Sequence, residues 1–128
     1  MATAPALRKR LLEYALNLPE AHLDHPWGED VAKVRKKVFA FFGIEAYSEH
    51  GMTVKLVDSQ SLAVAQPGVS PSGYNLGKSG WVTVRLGREL PFEMLREWID
   101  ESYRCVAPKS LVAQLDANEE AEPGAPRA

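Results

Sequence analysis

The residues of this sequence best suited to chemistry are bases. Lys33, Arg35, Lys36 and Lys37 place four cationic side chains within five positions, and Lys55 follows on a segment of strand-like alternation. A second group, Tyr74, Lys78 and Trp81, is interleaved with Gly73, Gly77 and Gly80. Ammonium and guanidinium groups neutralise phosphates and aromatic rings stack on bases, so the mixture suits nucleic acid or another polyanion. Lys33, Arg35, Lys36, Lys37, Lys55, Tyr74, Lys78 and Trp81 therefore form the candidate anion-binding set. The competing reading is a solvated hairpin tip plus aromatics, Trp81 above all, that pack in or beside the core.

Other chemistry has less support. The glycines of the 73–80 segment could bring backbone N–H groups to an anion. Their spacing matches neither the P-loop nor the dinucleotide fingerprint, so they are read as turn residues. His22 and His25, with Glu29 and Asp30 nearby, have metal-binding types, but a single H-x-x-H in a loop is a weak pattern. Cys105, the one cysteine, falls in a helical pattern and is read as a small buried hydrophobe. No G-x-S-x-G or H-E-x-x-H is present. Glu93, Glu97 and Asp100 are spaced as a solvent face, while Asp100 and Ser102 remain open to a buried or a functional role. The expectation is a binding module without catalytic residues, metal or cofactor.

Elements must position these side chains. Leu7, Leu11, Tyr14, Ala15 and Leu18 recur at helical spacing, and Pro19 ends that helix. Residues 19–30 read as a loop. Val31–Val34 and Val38–Ile44 read as strands joined at Arg35-Lys36, a turn without the Gly or Asn that supplies positive φ. Met52–Val57 is a third strand, and Asp58 or Ser59 caps a short helix. Residues 66–80 carry loop chemistry. Trp81–Leu86 alternates as a strand. Pro91 opens a long helix with Phe92, Leu95, Trp98, Ile99, Tyr103 and Val106 on its buried stripe. Lys109–Leu115 is a short last helix. The order α-β-β-β-α-β-α-α gives an α+β fold: an antiparallel sheet of about four to five strands with helices on one face.

With 128 residues the chain suits one domain, and at 45% hydrophobic content it can build a core. Net charge is −2, with Asp116, Glu119, Glu120 and Glu122 set against Arg127 alone beyond the last helix. Residues 1–115 are thus expected to be a nearly neutral domain, and 116–128 an acidic, disordered tail. No strongly basic balance argues for long-range attraction to nucleic acid. One cysteine, no apolar run of membrane-spanning length and no signal-peptide core point to a cytoplasmic protein, with a monomer favoured.

Four segments together resemble the MmcQ/YjbR family of small bacterial proteins. They are Leu16-Asn17-Leu18-Pro19 with His25-Pro26-Trp27-Gly28; Lys33-Val34 with Lys37-Val38-Phe39-Ala40; Gly73 through Val84; and Leu90-Pro91 leading to Ile99-Asp100-Glu101-Ser102-Tyr103. The resemblance implies a CyaY-like, secretion-chaperone-like α+β fold, and a DNA-binding label that rests on fold analogy. The chain departs from the family pattern at Arg35-Lys36, where glycines are frequent, and at Gly80, where His is frequent. A protein-interaction or chaperone-like module using the sheet face is the alternative function. An enzyme acting on a small anionic metabolite comes last.

Overall fold

A computed structural model describes residues 4–25, 30–42, 51–73, 76–86 and 90–121. Helix α1 (Ala4–Leu16) leads into β1 (Ala21–Asp24), β2 (Asp30–Val34), β3 (Lys37–Phe42) and β4 (Gly51–Lys55). Then come the short α2 (Gln60–Val64), β5 (Val69–Pro71), a 3-10 turn (Leu76–Ser79), β6 (Trp81–Arg85), α3 (Phe92–Val106) and α4 (Lys109–Ala121). The six strands form one sheet in the order β1-β2-β3-β4-β6-β5, antiparallel throughout. The α+β class is as expected, but the sheet has six strands rather than four to five. Both additions lie in segments read as loops. β1 is an edge strand whose burial does not alternate, and β5 is three residues ending in proline. Such strands are held by backbone pairing at an edge, which leaves little pattern in the side chains.

Alternation then assigns the faces. Ala32, Val34, Ala40, Phe42, Met52, Val54, Val82 and Val84 join Leu11, Leu95, Ile99 and Tyr103 in one core between sheet and helices. A bulge in β3 opposite Ala32 and Lys33 lets the consecutive Phe39 and Ala40 both bury fully in that core. Residues in between these positions, including Lys33, Phe41, Thr53, Lys55, Trp81 and Thr83, project from the opposite face.

Three consecutive residues of α3 fasten the sheet. Glu101 accepts from the backbone N–H groups of Asp58 and Ser59 at 3.1 Å each, and from the Ser59 hydroxyl at 2.6 Å. The α2 cap is therefore supplied from α3, since Ser59 makes no capping bond of its own. Ser102, fully buried, donates to the Phe39 carbonyl at 2.5 Å and accepts from the Lys55 N–H at 2.8 Å. The register Ala40↔Val54 places Phe39 and Lys55 across from each other, so the hydroxyl stands where a ladder bond would close. Tyr103 donates to the Pro19 carbonyl at 2.7 Å and meets Phe39 edge-on at 5.2 Å; burial raises its phenol pKa.

The last helix extends six residues past Leu115, so Asp116, Glu119 and Glu120, assigned to the acidic tail, are helical. Their reason is Arg104, which binds Asp100 at 2.5 Å, Asp116 at 2.8 Å and Glu119 at 3.2 Å, while Leu111 and Leu115 join the core. The remaining tail, 122–128, lies outside the described residues. Asp100 is buried and also accepts from Tyr14 at 3.2 Å. Arg96 is buried as well, its guanidinium 5.7 Å from the Tyr14 ring centroid. Cys105, in contrast to its expected burial, is exposed at the end of α3.

Ser102→Ala strands a buried carbonyl and a buried N–H. We expect urea unfolding to show a loss of about 2 kcal/mol or more, and a loss below ~0.5 kcal/mol would mean that β3 and β4 close without the hydroxyl. Asp30 ties β2 to α1 through Arg8 at 2.7 Å, and to the end of β1 through His25 at 2.8 Å. Burial pushes its carboxyl up, but the bonds and charges of Arg8 and His25 outweigh burial and hold it below its ordinary value. That stabilisation is present above the unfolded pKa of about 4 and fades as pH falls through the folded value. Asp30→Asn is expected to lower stability at pH 7 and to converge with the parent in strong acid.

Candidate polyanion-binding end of the sheet

The β2–β3 hairpin, the end of β4 and the start of β6 all lie at one end of the sheet, because the strands alternate in direction. Arg35 and Lys36 form the two-residue turn, closed by Val34 opposite Lys37. Arg35 itself takes the positive φ, at 56°, for which the sequence offers no Gly or Asn. Its guanidinium holds Glu20 by two bonds, at 2.7 and 3.3 Å. Lys36 and Lys37 are exposed and make no ion pair among the described residues.

Lys33 and Lys55 share the face opposite the helical core. Lys33 is half-buried and donates to Asp24 at 3.2 Å. The Asp24 carboxyl is held below its ordinary value, first by the His25 backbone N–H and then by Lys33. Lys55 pairs across from Trp81 in register, and its backbone N–H is the one that Ser102 accepts. Trp81 is half-buried and stands edge-on to Phe41 at 5.5 Å, so it packs beside the sheet rather than in the core. Thr53, Thr83 and Ser72 are buried, and Thr83 is hydrogen-bonded to Thr53 at 3.3 Å and to Ser72 at 3.0 Å, which leaves these hydroxyls satisfied internally.

Lys78 is exposed in the 3-10 turn just before Trp81. It borders a cleft of about 460 Å³ with Gln60, Ser61, Val64, Pro71, Ser72 and Gly77. Gln60 steadies this turn by donating to the Gly77 carbonyl at 2.7 Å. Gly80 brings the chain back into β6 at φ 99°, and a Cβ there would lie 2.9 Å from the Leu56 carbonyl oxygen. That close approach, with the Leu56 N–H bonded to the Gly80 carbonyl at 2.8 Å, is the physical reason for glycine at this point.

Lys33, Arg35, Lys36, Lys37, Lys55, Lys78 and Trp81 thus lie toward one end of the sheet, but not as one uniform patch. Of the four bases around the hairpin, Lys33 and Arg35 are paired with adjacent carboxylates, Asp24 and Glu20. Lys36, Lys37, Lys55 and Lys78 remain as cations without an ion pair among the described residues. Tyr74 lies outside the described residues. The sequence reading missed Phe41 as the neighbour of Trp81; its place on a strand beside Phe42 offered only a choice of face. It also missed Glu20 and Asp24, because their partners are fixed by β1. Of the metal candidates, Asp30 is taken by Arg8 and His25, and Glu29 lies outside the described residues. Among the described residues no group of three or more His, Cys, Asp or Glu is placed to hold a metal, and no helix is long and apolar enough to cross a membrane.

Comparison with known proteins places this architecture among relatives. The family model described as YjbR matches residues 16–105. A protein of Escherichia coli O157:H7 described as uncharacterized protein YbdF is 30% identical over 105 residues, spanning 79% of this chain and 84% of the relative. The crystal structure of Deinococcus radiodurans DR2400, described with a DUF419 domain, superposes with a TM-score of 0.68 at 26% identity, over 91% of this chain and 92% of that one. A Pseudomonas syringae protein superposes at 0.61 with 22% identity, over 77% and 97% respectively, a likeness of fold.

Gly80→Ala forces a side chain into a strained φ and a carbonyl. The expected cost is about 1–3 kcal/mol in thermal unfolding. An unchanged melting temperature would show that the 3-10 turn is free to move away from Leu56.

Proposed function

The chain belongs to the YjbR family, and on that footing we propose that it is a cytoplasmic, non-catalytic binding module for nucleic acid or another polyanion. The observation that carries the reading is the gathering of Lys36, Lys37, Lys55 and Lys78 at the sheet end occupied by Trp81. Phosphate contact by lysine depends on charge and not on base identity, so such a surface binds with little sequence preference. The pairing of Lys33 and Arg35 with acids, and a net charge of −2, make the attraction modest and short-ranged.

A second reading, a protein-interaction module, draws support from Leu23 on edge strand β1, 41% exposed, and from Val57 and Leu62 near α2, 61% and 75% exposed. Capture of one protein partner that survives nuclease treatment would favour it.

Titration of random-sequence DNA and RNA across a salt series tests the first reading. Affinity is expected to fall steeply with salt. The double change Lys36→Glu, Lys37→Glu is expected to weaken binding and to flatten the log–log slope by about 1 for each phosphate no longer neutralised. Absence of binding at low salt, or indifference to the double change, overturns it.

A further inference from the structure

We infer that edge strand β1 pairs with β1 of a second copy of this chain, antiparallel and about a two-fold axis at Leu23. The inference is independent of the polyanion reading, since Lys36, Lys37, Lys55 and Lys78 take no part in it.

The sheet has two edges, β1 and β5, and the chain treats them differently. At β5 the outward positions are Val69 and Pro71, because the Arg85 N–H bonds the Gly68 carbonyl and the Ser72 N–H bonds the Trp81 carbonyl. Proline has no N–H to offer, and the Val69 N–H turns back to the Gln66 carbonyl at 3.3 Å. That edge has no outward donor left for a further strand. β1 is open. Val34 closes the two-residue turn opposite Lys37, so its backbone groups face β3 and those of Lys33 face β1. His22, opposite Lys33, and Asp24, opposite Val31, are thereby bonded inward, and Ala21 and Leu23 are turned outward. The Ala21 N–H agrees with this, leaving the sheet for the Leu18 carbonyl at 3.0 Å. Leu23 makes no backbone bond on that outer side among the described residues, and its side chain is 41% exposed. β1 also holds neither the proline nor the lysine by which edges are commonly blocked.

The residues of β1 also choose the partner. In an antiparallel pair centred on Leu23, each Leu23 exchanges two backbone bonds with its counterpart. His22 then stands opposite the partner's Asp24 on both sides of the axis, an imidazole against a carboxylate. The two leucine side chains meet on the core side, beside Ala32. A pair centred on Asp24 would set carboxylate against carboxylate. One centred on His22 would bring Leu23 to Ala21, whose N–H is already spent. A second copy thus satisfies this edge in one register. Both outer edges of the joined sheet are then β5, so assembly stops at a closed two-fold dimer. The contact runs through four residues on each side, which makes it weak and reversible. The expected monomer is then the dilute form.

The test is sedimentation velocity of the full chain from about 10 µM to about 1 mM, the range that populates a small interface. A monomer–dimer equilibrium is expected. Leu23→Pro removes the outward N–H and leaves the β1–β2 bonds in place, and it is expected to weaken the dimer about 10-fold or more. Leu23→Lys keeps that N–H but brings two like charges together at the axis, and is expected to act in the same direction. His22→Glu and Asp24→Lys are each expected to weaken self-association. An equimolar mixture of the two is expected to recover it, because the introduced glutamate and lysine then face each other. Circular dichroism and thermal melting confirm that each variant is folded. A monomer at every concentration, a dimer indifferent to both Leu23 changes, or no recovery in the mixture overturns the inference. So does a monomeric chain that captures a foreign strand at β1 instead. The polyanion reading stands or falls separately, on the salt titration above.

Discussion

One buried hydroxyl decides how the sheet is held. Ser102 receives the Lys55 N–H and gives its proton to the Phe39 carbonyl, so β3 and β4 are joined at this point through α3. A direct ladder bond would satisfy the same two backbone groups without committing the helix to the sheet. The inserted hydroxyl makes α3 part of the sheet's own hydrogen bonding. Its neighbours extend the clasp: Glu101 to the turn after β4, and Tyr103 to the turn after α1. Leaving the buried carbonyls of Phe39 or Pro19 unmet costs more than the bond gains, which makes the arrangement specific.

The consequence for the surface follows from alternation. With the Lys55 amide fixed and Val54 in the core, the Lys55 side chain must leave the sheet on the side opposite that core, next to Trp81. The β3 bulge acts in the same sense. By burying Phe39 and Ala40 together, it resets β3 so that Phe41 stands on the face opposite the core. The aromatic pair and its lysines are therefore the reverse side of the packing that stabilises the fold. Glu20 and Asp24, at either end of β1, temper the hairpin's charge and leave Lys36 and Lys37 as its outward cations.

Much of this was legible in the residues themselves. The stripe Leu95, Trp98, Ile99 and Tyr103 announced α3, and the runs around Val31, Phe39, Val54 and Val82 announced the four central strands. β1 and β5 were not legible, because an edge strand held by backbone bonds needs no apolar alternation. Ser102 and Glu101 could be marked only as polar residues in a buried helix, since their partners lie some 40 to 60 residues away in the chain. The same holds for Asp116 and Glu119, whose charge suggested a solvated tail until Arg104 gave them partners. Of the candidate site, the clustering of bases was visible in sequence. Which of them are spent on carboxylates was not, because that depends on where β1 runs.

The most direct test of the account is a backbone amide NMR titration with a short oligonucleotide. It predicts shifts confined to Lys36, Lys37, Lys55, Lys78 and Trp81, with α1 and α4 unmoved. Shifts centred on the helical side, around Arg104 and α4, or no shifts at all, would contradict it.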